Sequence, residues 1–354
     1  MEDNKERMEN SHQNTEGYRT YSVQGKRAGK TPYRGVIIFA IIVMAILVLA
    51  VSCNKMTDTL LKGDQSMVQL PDMPYIGTIY VEGTIGSNNT DYFGMPIGYQ
   101  HEWTLEQIDK LMDDANNKGI LLYVDSPGGG VYESDELYLK IKDYQEMTGR
   151  PVYAYFGSMA ASGGYYVSAP ADQIIANRNC WTGSIGVTIG TLFDFSQLLE
   201  NYGVKSETIT SGANKAMGSS FDELTQEQRA IFQSLIDEAY FQFAGIVAEE
   251  REMDIETVKK IADGRIYTAK QALENGLVDQ IATFEEAKEG MKAAYNLEDV
   301  DIVDIEYTED SFLGTIFGRM NLQGNSESGE LNAIMKIVED GNQFPVSYMC
   351  EALQ

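Results

Sequence analysis

Between residues 119 and 125 the chain reads GILLYVD, an unbroken apolar run followed at once by SPGGGV. A run of that kind, without polar alternation, suits a strand covered on both faces, and such strands belong to largely parallel sheets sandwiched between helices. The flanking pattern agrees. Residues 76–81 form a second strand-like run, and a helix should follow, opening on a capping-box pattern at Thr104 and Gln107 and burying Leu105, Ile108, Leu111 and Met112. Residues 131–147 and 151–156 then repeat helix and strand. The predicted class is α/β with a largely parallel sheet. The longest helix is expected from about 225 to 250, with Ile231, Phe232, Leu235, Ile236, Ala239, Tyr240, Phe243, Ile246 and Val247 on one stripe. Such a stripe fits a core helix or a contact with a second subunit.

Ahead of this pattern, residues 35–53 (GVIIFAIIVMAILVLAVSC) carry no charge. As a helix they reach about 28 Å, enough to cross a hydrocarbon core. A cleaved leader has a shorter apolar region behind a shorter basic segment, and the AVSC ending at Cys53 only loosely matches a lipidation box. Arg19, Lys26, Arg27, Lys30 and Arg34 follow the last acid of the tail, Glu16, which by the positive-inside rule keeps residues 1–34 in the cytoplasm. The expected order is a cytoplasmic tail at 1–34, one transmembrane helix at 35–53, a linker at 54–74, an extracytoplasmic domain at 75–307 of a single-pass cell-membrane protein, and a C-terminal tail at 308–354.

The tail has 7 basic and 5 acidic residues, leaving 20 basic against 48 acidic beyond it, a net of −28. Nucleic acid and anionic lipid head groups are poor partners for such a body. With Cys53 at the membrane, Cys180 and Cys350 make no disulfide framework.

The chemistry is narrowed by what is scarce. The chain has 2 histidines, and only His101 lies beyond the apolar span. A serine hydroxyl attacks only when a neighbouring group takes its proton, and without imidazole that group is an amine. Ser162, in MAASGGYY, is the candidate nucleophile, although the same small residues also suit a helix start capped by the hydroxyl. The SPGGG turn lets backbone amides face a ligand, and Gly163 offers a further amide for a developing oxyanion. Both segments follow strands of one sheet, where sites of α/β folds gather. Lys215, in SGANKAMGSS, has no acid nearer than Asp222. A lysine amine becomes a base only where an apolar cleft disfavours its charged form, and a hydroxyl such as Ser184, in TGSIG, would orient it without stabilising its charge.

Taken in order, DSPGGGV, MAASGGYYVSAPAD, TGSIGV, the lysine in its GxxKxMGS setting and GRIYTAKQALENGLVDQI closely resemble the bacterial signal peptide peptidase A family in its short, single-repeat form. The resemblance covers roughly residues 76–282. It implies a ClpP/crotonase-like fold, a Ser162–Lys215 dyad with Ser184 as the lysine's hydrogen-bond partner, and an oxyanion hole from the Gly128–Gly129 turn and Gly163. It further implies no cofactor or metal, and a ring-like homo-oligomer in which the lysine comes either from the same protomer or from an adjacent one.

The expected function is therefore a membrane-anchored endopeptidase acting on cleaved signal peptides and other apolar peptides. The alternatives are a crotonase-type acyl-CoA enzyme, which an external location disfavours, and a non-catalytic scaffold or regulatory relative. The apolar last segment (NQFPVSYMCEAL) has two readings: an unstructured end, or an extended peptide that occupies such a cleft and restrains it.

Overall fold

The computed structural model describes residues 70–87, 89–90, 96–307 and the backbone of 347–349. The expected tail at 1–34, the span at 35–53, most of the linker and most of the C-terminal tail lie outside the described residues. Among the described residues no helix is long and apolar enough to cross a membrane.

Strands β9 (Asp301–Ile305), β1 (Tyr75–Glu82), β2 (Asn117–Ser126) and β4 (Val152–Ala161) run parallel in that order, with β9 at one edge of the sheet. Beside β4 lie β5 (Gln173–Ala176) along its first half and β6 (Trp181–Gly183) along its last residues. The short β8 (Gln280–Ile281) extends β5 in parallel, and β7 (Ile266–Thr268) closes the other edge antiparallel to β6. A separate ribbon joins β3 (Gly128–Gly130) to β10 (Ser347–Met349).

The apolar run is buried on both sides, as its lack of alternation requires. Ile120, Leu122 and Val124 of β2 enter one core, with Ile108 and Leu111 of α1 (His101–Asp113), Leu137 and Ile141 of α2 (Val131–Thr148) and Tyr165 and Tyr166 of α3 (Gly163–Ser168). Leu121 points the other way, to Tyr153, Tyr155 and Ile175, under Ala287 and Met291 of α8 (Phe284–Ala294). Fully burying one such side chain contributes about 1.5–3 kcal/mol. The remaining helices are α4 (Ser196–Asn201), α5 (Gln226–Glu250), α6 (Ile255–Ile261) and α7 (Ala269–Glu274).

Two helix starts differ in an instructive way. The capping box of α5 forms, with Thr225 and Gln228 exchanging side-chain and backbone hydrogen bonds. The one expected at Thr104 does not, because α1 begins three residues earlier, at His101. His101 is fixed between the Tyr99 hydroxyl at 2.7 Å and the Glu136 carboxylate at 2.9 Å, and Trp103 is buried in the core. These anchors wind the earlier residues into the first turn. Thr104 instead donates to the Gln100 carbonyl at 2.8 Å.

The stripe on α5 is also only partly used. Phe232, Phe243, Ala244 and Val247 are buried, while Leu235 and Phe241 stand in solvent. Continuous with that exposed half is an arm at 186–225, whose Phe193, Leu198, Tyr202, Val204, Ile209 and Phe221 are exposed, Ile209 to 91%.

Cys180 is a free, buried thiol whose pKa burial pushes up to about 12. Below that pH it stays protonated and unreactive. In a chain with Cys53→Ser and Cys350→Ser, a thiol reagent at pH 8 should modify Cys180 only after denaturant is added; equal labelling rates with and without denaturant would contradict this packing.

Candidate active site

The glycine turn is built around an approach that no side chain permits. After Ser126 and Pro127 the chain enters β3, where the Ile85 amide donates to the Gly128 carbonyl at 2.9 Å and the Gly130 amide donates to the Ile85 carbonyl at 2.8 Å. A Cβ on Gly129 would lie 1.8 Å from the Ile85 oxygen. Gly128 holds φ +101°, and its amide donates to Ser126 Oγ at 3.1 Å. Groups on a strand alternate between its edges, so the Gly129 amide and carbonyl face away from Ile85. Along that opposite edge lies β10, antiparallel, with Ser347 opposite Gly130, Tyr348 opposite Gly129 and Met349 opposite Gly128.

Ser162 is delivered to this turn by an irregularity in β4. Val124 pairs with Phe156 and Ser126 with Ala160, so β4 spends two more residues than β2 over the same stretch. Asp125 pins the bulge: its carboxylate accepts from Ser158 Oγ at 2.7 Å and from the Met159 amide at 3.1 Å. Sequence reading took Asp125 only as the start of a motif, and its place in the bulge depends on pairing that no local pattern displays.

Ser162 then adopts φ 54°, ψ −115°, a backbone conformation that costs an L-residue about 1–3 kcal/mol. Its amide donates to the Gly183 carbonyl at 2.8 Å. Although Ser162 precedes α3, its side chain makes no capping bond, so the capping alternative does not hold. The hydroxyl is fully buried and has no hydrogen-bond partner among the described residues. Gly163 follows, where a Cβ would meet Ser134 Oγ at 2.6 Å and the Gly129 nitrogen at 3.0 Å. Ser162, Gly163 and the Gly129 amide are therefore gathered in one place.

Ser184 sits one residue past β6 as Ser162 sits one past β4, since Ala161 pairs with Gly183. It too has a positive φ, 49°, and its amide donates to the Arg265 carbonyl at 2.8 Å. It lines a cleft of about 550 Å³ with Val187, Gln233, Ile236 and Tyr240. Lys259 lines the same cleft, but Glu256 accepts from its Nζ at 2.8 Å and raises its pKa above the usual lysine value. That makes it a poor proton acceptor. Lys215 is exposed on the arm, not beside the buried Ser162 hydroxyl. His101 has both ring nitrogens engaged, by Tyr99 and Glu136, and so is not the base for Ser162.

A model of peptidase family S49 matches residues 145–298, a stretch that holds Ser162, Gly163, Ser184 and Lys215 but not the glycine turn. A putative protease of Synechocystis sp. is 41% identical over 201 residues, 57% of this chain and 71% of that protein. The chain belongs to the S49, or signal peptide peptidase A, family. A putative signal peptide peptidase SppA of Enterococcus faecium is 44% identical over 213 residues, 60% of this chain and 61% of that protein, so this chain spans less than two thirds of that relative. Solved structures overlap more loosely: a ClpP1 variant of Listeria monocytogenes gives a TM-score of 0.40 at 16% identity, over 61% of this chain and 94% of that one. The fold is accordingly read from the chain's own topology.

Replacing Gly129 with alanine places a methyl group into the Ile85 carbonyl. Overpacking of this kind costs about 1–3 kcal/mol, so Gly129→Ala should lower the melting temperature. Unchanged melting would show that the turn is not packed this way.

Proposed function

We propose that the chain is a serine endopeptidase in which Ser162 is the nucleophile and Lys215 the general base. The observation that carries the reading is the Ser162 hydroxyl itself, buried and without a partner among the described residues, on a strained backbone beside the Gly129 amide. In the proposed reaction the Ser162 proton passes to the Lys215 amine as Oγ attacks the substrate carbonyl, and the oxyanion is held by the Gly129 and Gly163 amides. Gly128 is the weaker candidate for that hole because its amide is engaged by Ser126. The lysine then gives its proton to the departing amine, leaving an acyl ester on Ser162 that water hydrolyses with the amine again as base.

Lys215 reaches Ser162, in this reading, from an adjacent protomer. Its exposure within one chain, and the uncovered apolar residues of the arm and of α5 around it, support a ring-like homo-oligomer in which those surfaces are buried and the amine is dried. Ser184, at the end of the strand neighbouring Ser162, would orient it.

The substrate is read as an extended apolar peptide, above all a cleaved signal peptide. An edge of β3 that accepts β10 strand to strand is suited to adding a substrate strand, with alternate side chains giving specificity. A membrane anchor at 35–53 would hold the catalytic domain outside the cytoplasm, close to where such peptides are released. The C-terminal tail competes for the same edge, and β10 supports the reading of that tail as a restraint. A second reading, a non-catalytic scaffold on this fold, predicts no turnover at all.

In the full chain, Ser162→Ala and Lys215→Ala should each lower peptide hydrolysis by about 10⁴-fold or more, and mixing the two inactive variants under subunit exchange should restore activity. Full turnover by Lys215→Ala would remove the lysine from the mechanism, and a mixture that stays inactive would place both groups in one protomer. Truncation after Gly324 should raise the initial rate on a short peptide by freeing the β3 edge; an unaltered rate would remove the tail from control of the site.

A further inference from the structure

Ser134, in the first turn of α2, lacks a bond that three other helical hydroxyls make. A serine or threonine within a helix commonly bonds the carbonyl four residues back. Thr104 does so to Gln100 at 2.8 Å, Thr148 to Tyr144 at 2.6 Å and Ser168 to Gly164 at 2.7 Å. Ser134 makes no such bond to Gly130. It is fully buried, and its Oγ has no partner among the described residues. Leaving a buried hydroxyl unsatisfied carries the desolvation penalty of that group.

Its position suggests a use. The point where a side chain on Gly163 would begin lies 2.6 Å from Ser134 Oγ, 3.0 Å from the Gly129 nitrogen and 3.1 Å from Gly128 Cα. Ser134 therefore stands beside both backbone segments that carry the proposed oxyanion donors, next to the residue that follows the nucleophile. Ser162, which immediately precedes Gly163, likewise has a buried hydroxyl with no partner among the described residues. Tyr166 of α3 donates to Asp135 at 2.6 Å, which ties α3 to α2 and fixes the neighbour of Ser134.

We propose that Ser134 is a third donor of the oxyanion hole: its hydroxyl, withheld from the helix backbone, donates to the substrate oxygen as the carbonyl becomes tetrahedral. The proton stays on Ser134 throughout, and no bond to Oγ forms. The donor is in place before reaction, which is the arrangement that favours a transition state over a bound ground state. The proposal rests on Ser162 being the nucleophile.

The test compares full-length wild type, Ser134→Ala and Ser162→Ala for hydrolysis of a short apolar peptide, inhibition by a peptide aldehyde of the same sequence, and thermal melting. Removing one oxyanion donor lowers kcat by about 10²–10³-fold. Ser134→Ala should therefore lose kcat on that scale with KM nearly unchanged, and should bind the aldehyde correspondingly more weakly. Its melting temperature should be equal or higher, because the lost hydroxyl had no partner. A kcat within fivefold of wild type, or a larger loss accompanied by unchanged aldehyde affinity, overturns the proposal, the second outcome marking a purely structural residue. Should Ser162→Ala keep wild-type turnover, the reading of the whole site fails, and that result is separable from the first two because it does not involve Ser134.

Discussion

Everything at this site depends on backbone meeting backbone where no side chain can intervene. Gly129 lies against the Ile85 carbonyl on one edge, and Gly163 lies against the Gly129 nitrogen on the other side. Close approach of this kind lets a sheet loop and the start of a short helix share one small volume, so amides and hydroxyls converge without intervening methyl groups. The strained backbone of Ser162 belongs to the same constraint. A φ of 54° is tolerated because the Gly183 carbonyl holds the serine amide and the Asp125 carboxylate fixes the bulge just before it.

The polar balance of the site follows. Buried hydroxyls are ordinarily satisfied: Thr182 donates to the Ala160 carbonyl at 2.6 Å and Ser168 to that of Gly164, while among the described residues the hydroxyls of Thr78 on β1, Ser134 and Ser162 are buried without a partner. Of these, Ser162 precedes Gly163 in the chain and Ser134 Oγ lies against Gly163. Polar capacity held in reserve at a strand end, where an extended peptide backbone can pair with β3, is the physical signature on which the proposed hydrolysis rests. The arm at 186–225 carries the opposite imbalance, apolar surface without cover, and both are relieved together if a second copy brings Lys215 to the serine.

Much of the scaffold was legible because its signals are local. The unbroken GILLYVD run became β2, buried on both faces, and Thr225 with Gln228 closed the capping box of α5. Where local signals met tertiary anchors, the anchors prevailed: His101, held by Tyr99 and Glu136, and Trp103, packed in the core, start α1 ahead of Thr104. The bulge in β4 and the part Asp125 plays in it were invisible, since both arise from the register between strands thirty residues apart in the chain. Ser134 was equally hidden, because a serine in a helix signals nothing until its expected carbonyl is seen to be unused.

By itself the sequence determined the α/β class, the segments that become strands and helices, and the family to which the chain belongs, because hydrophobic periodicity and linked motifs are written along the chain. Only the tertiary structure decided that Gly129 turns its amide to the edge away from Ile85 while the Gly128 amide is engaged by Ser126, that His101 is occupied elsewhere and that Lys215 is exposed within one chain. Those facts are set by which atoms meet across separate elements, and no spacing between residues along the chain encodes the direction in which an amide points.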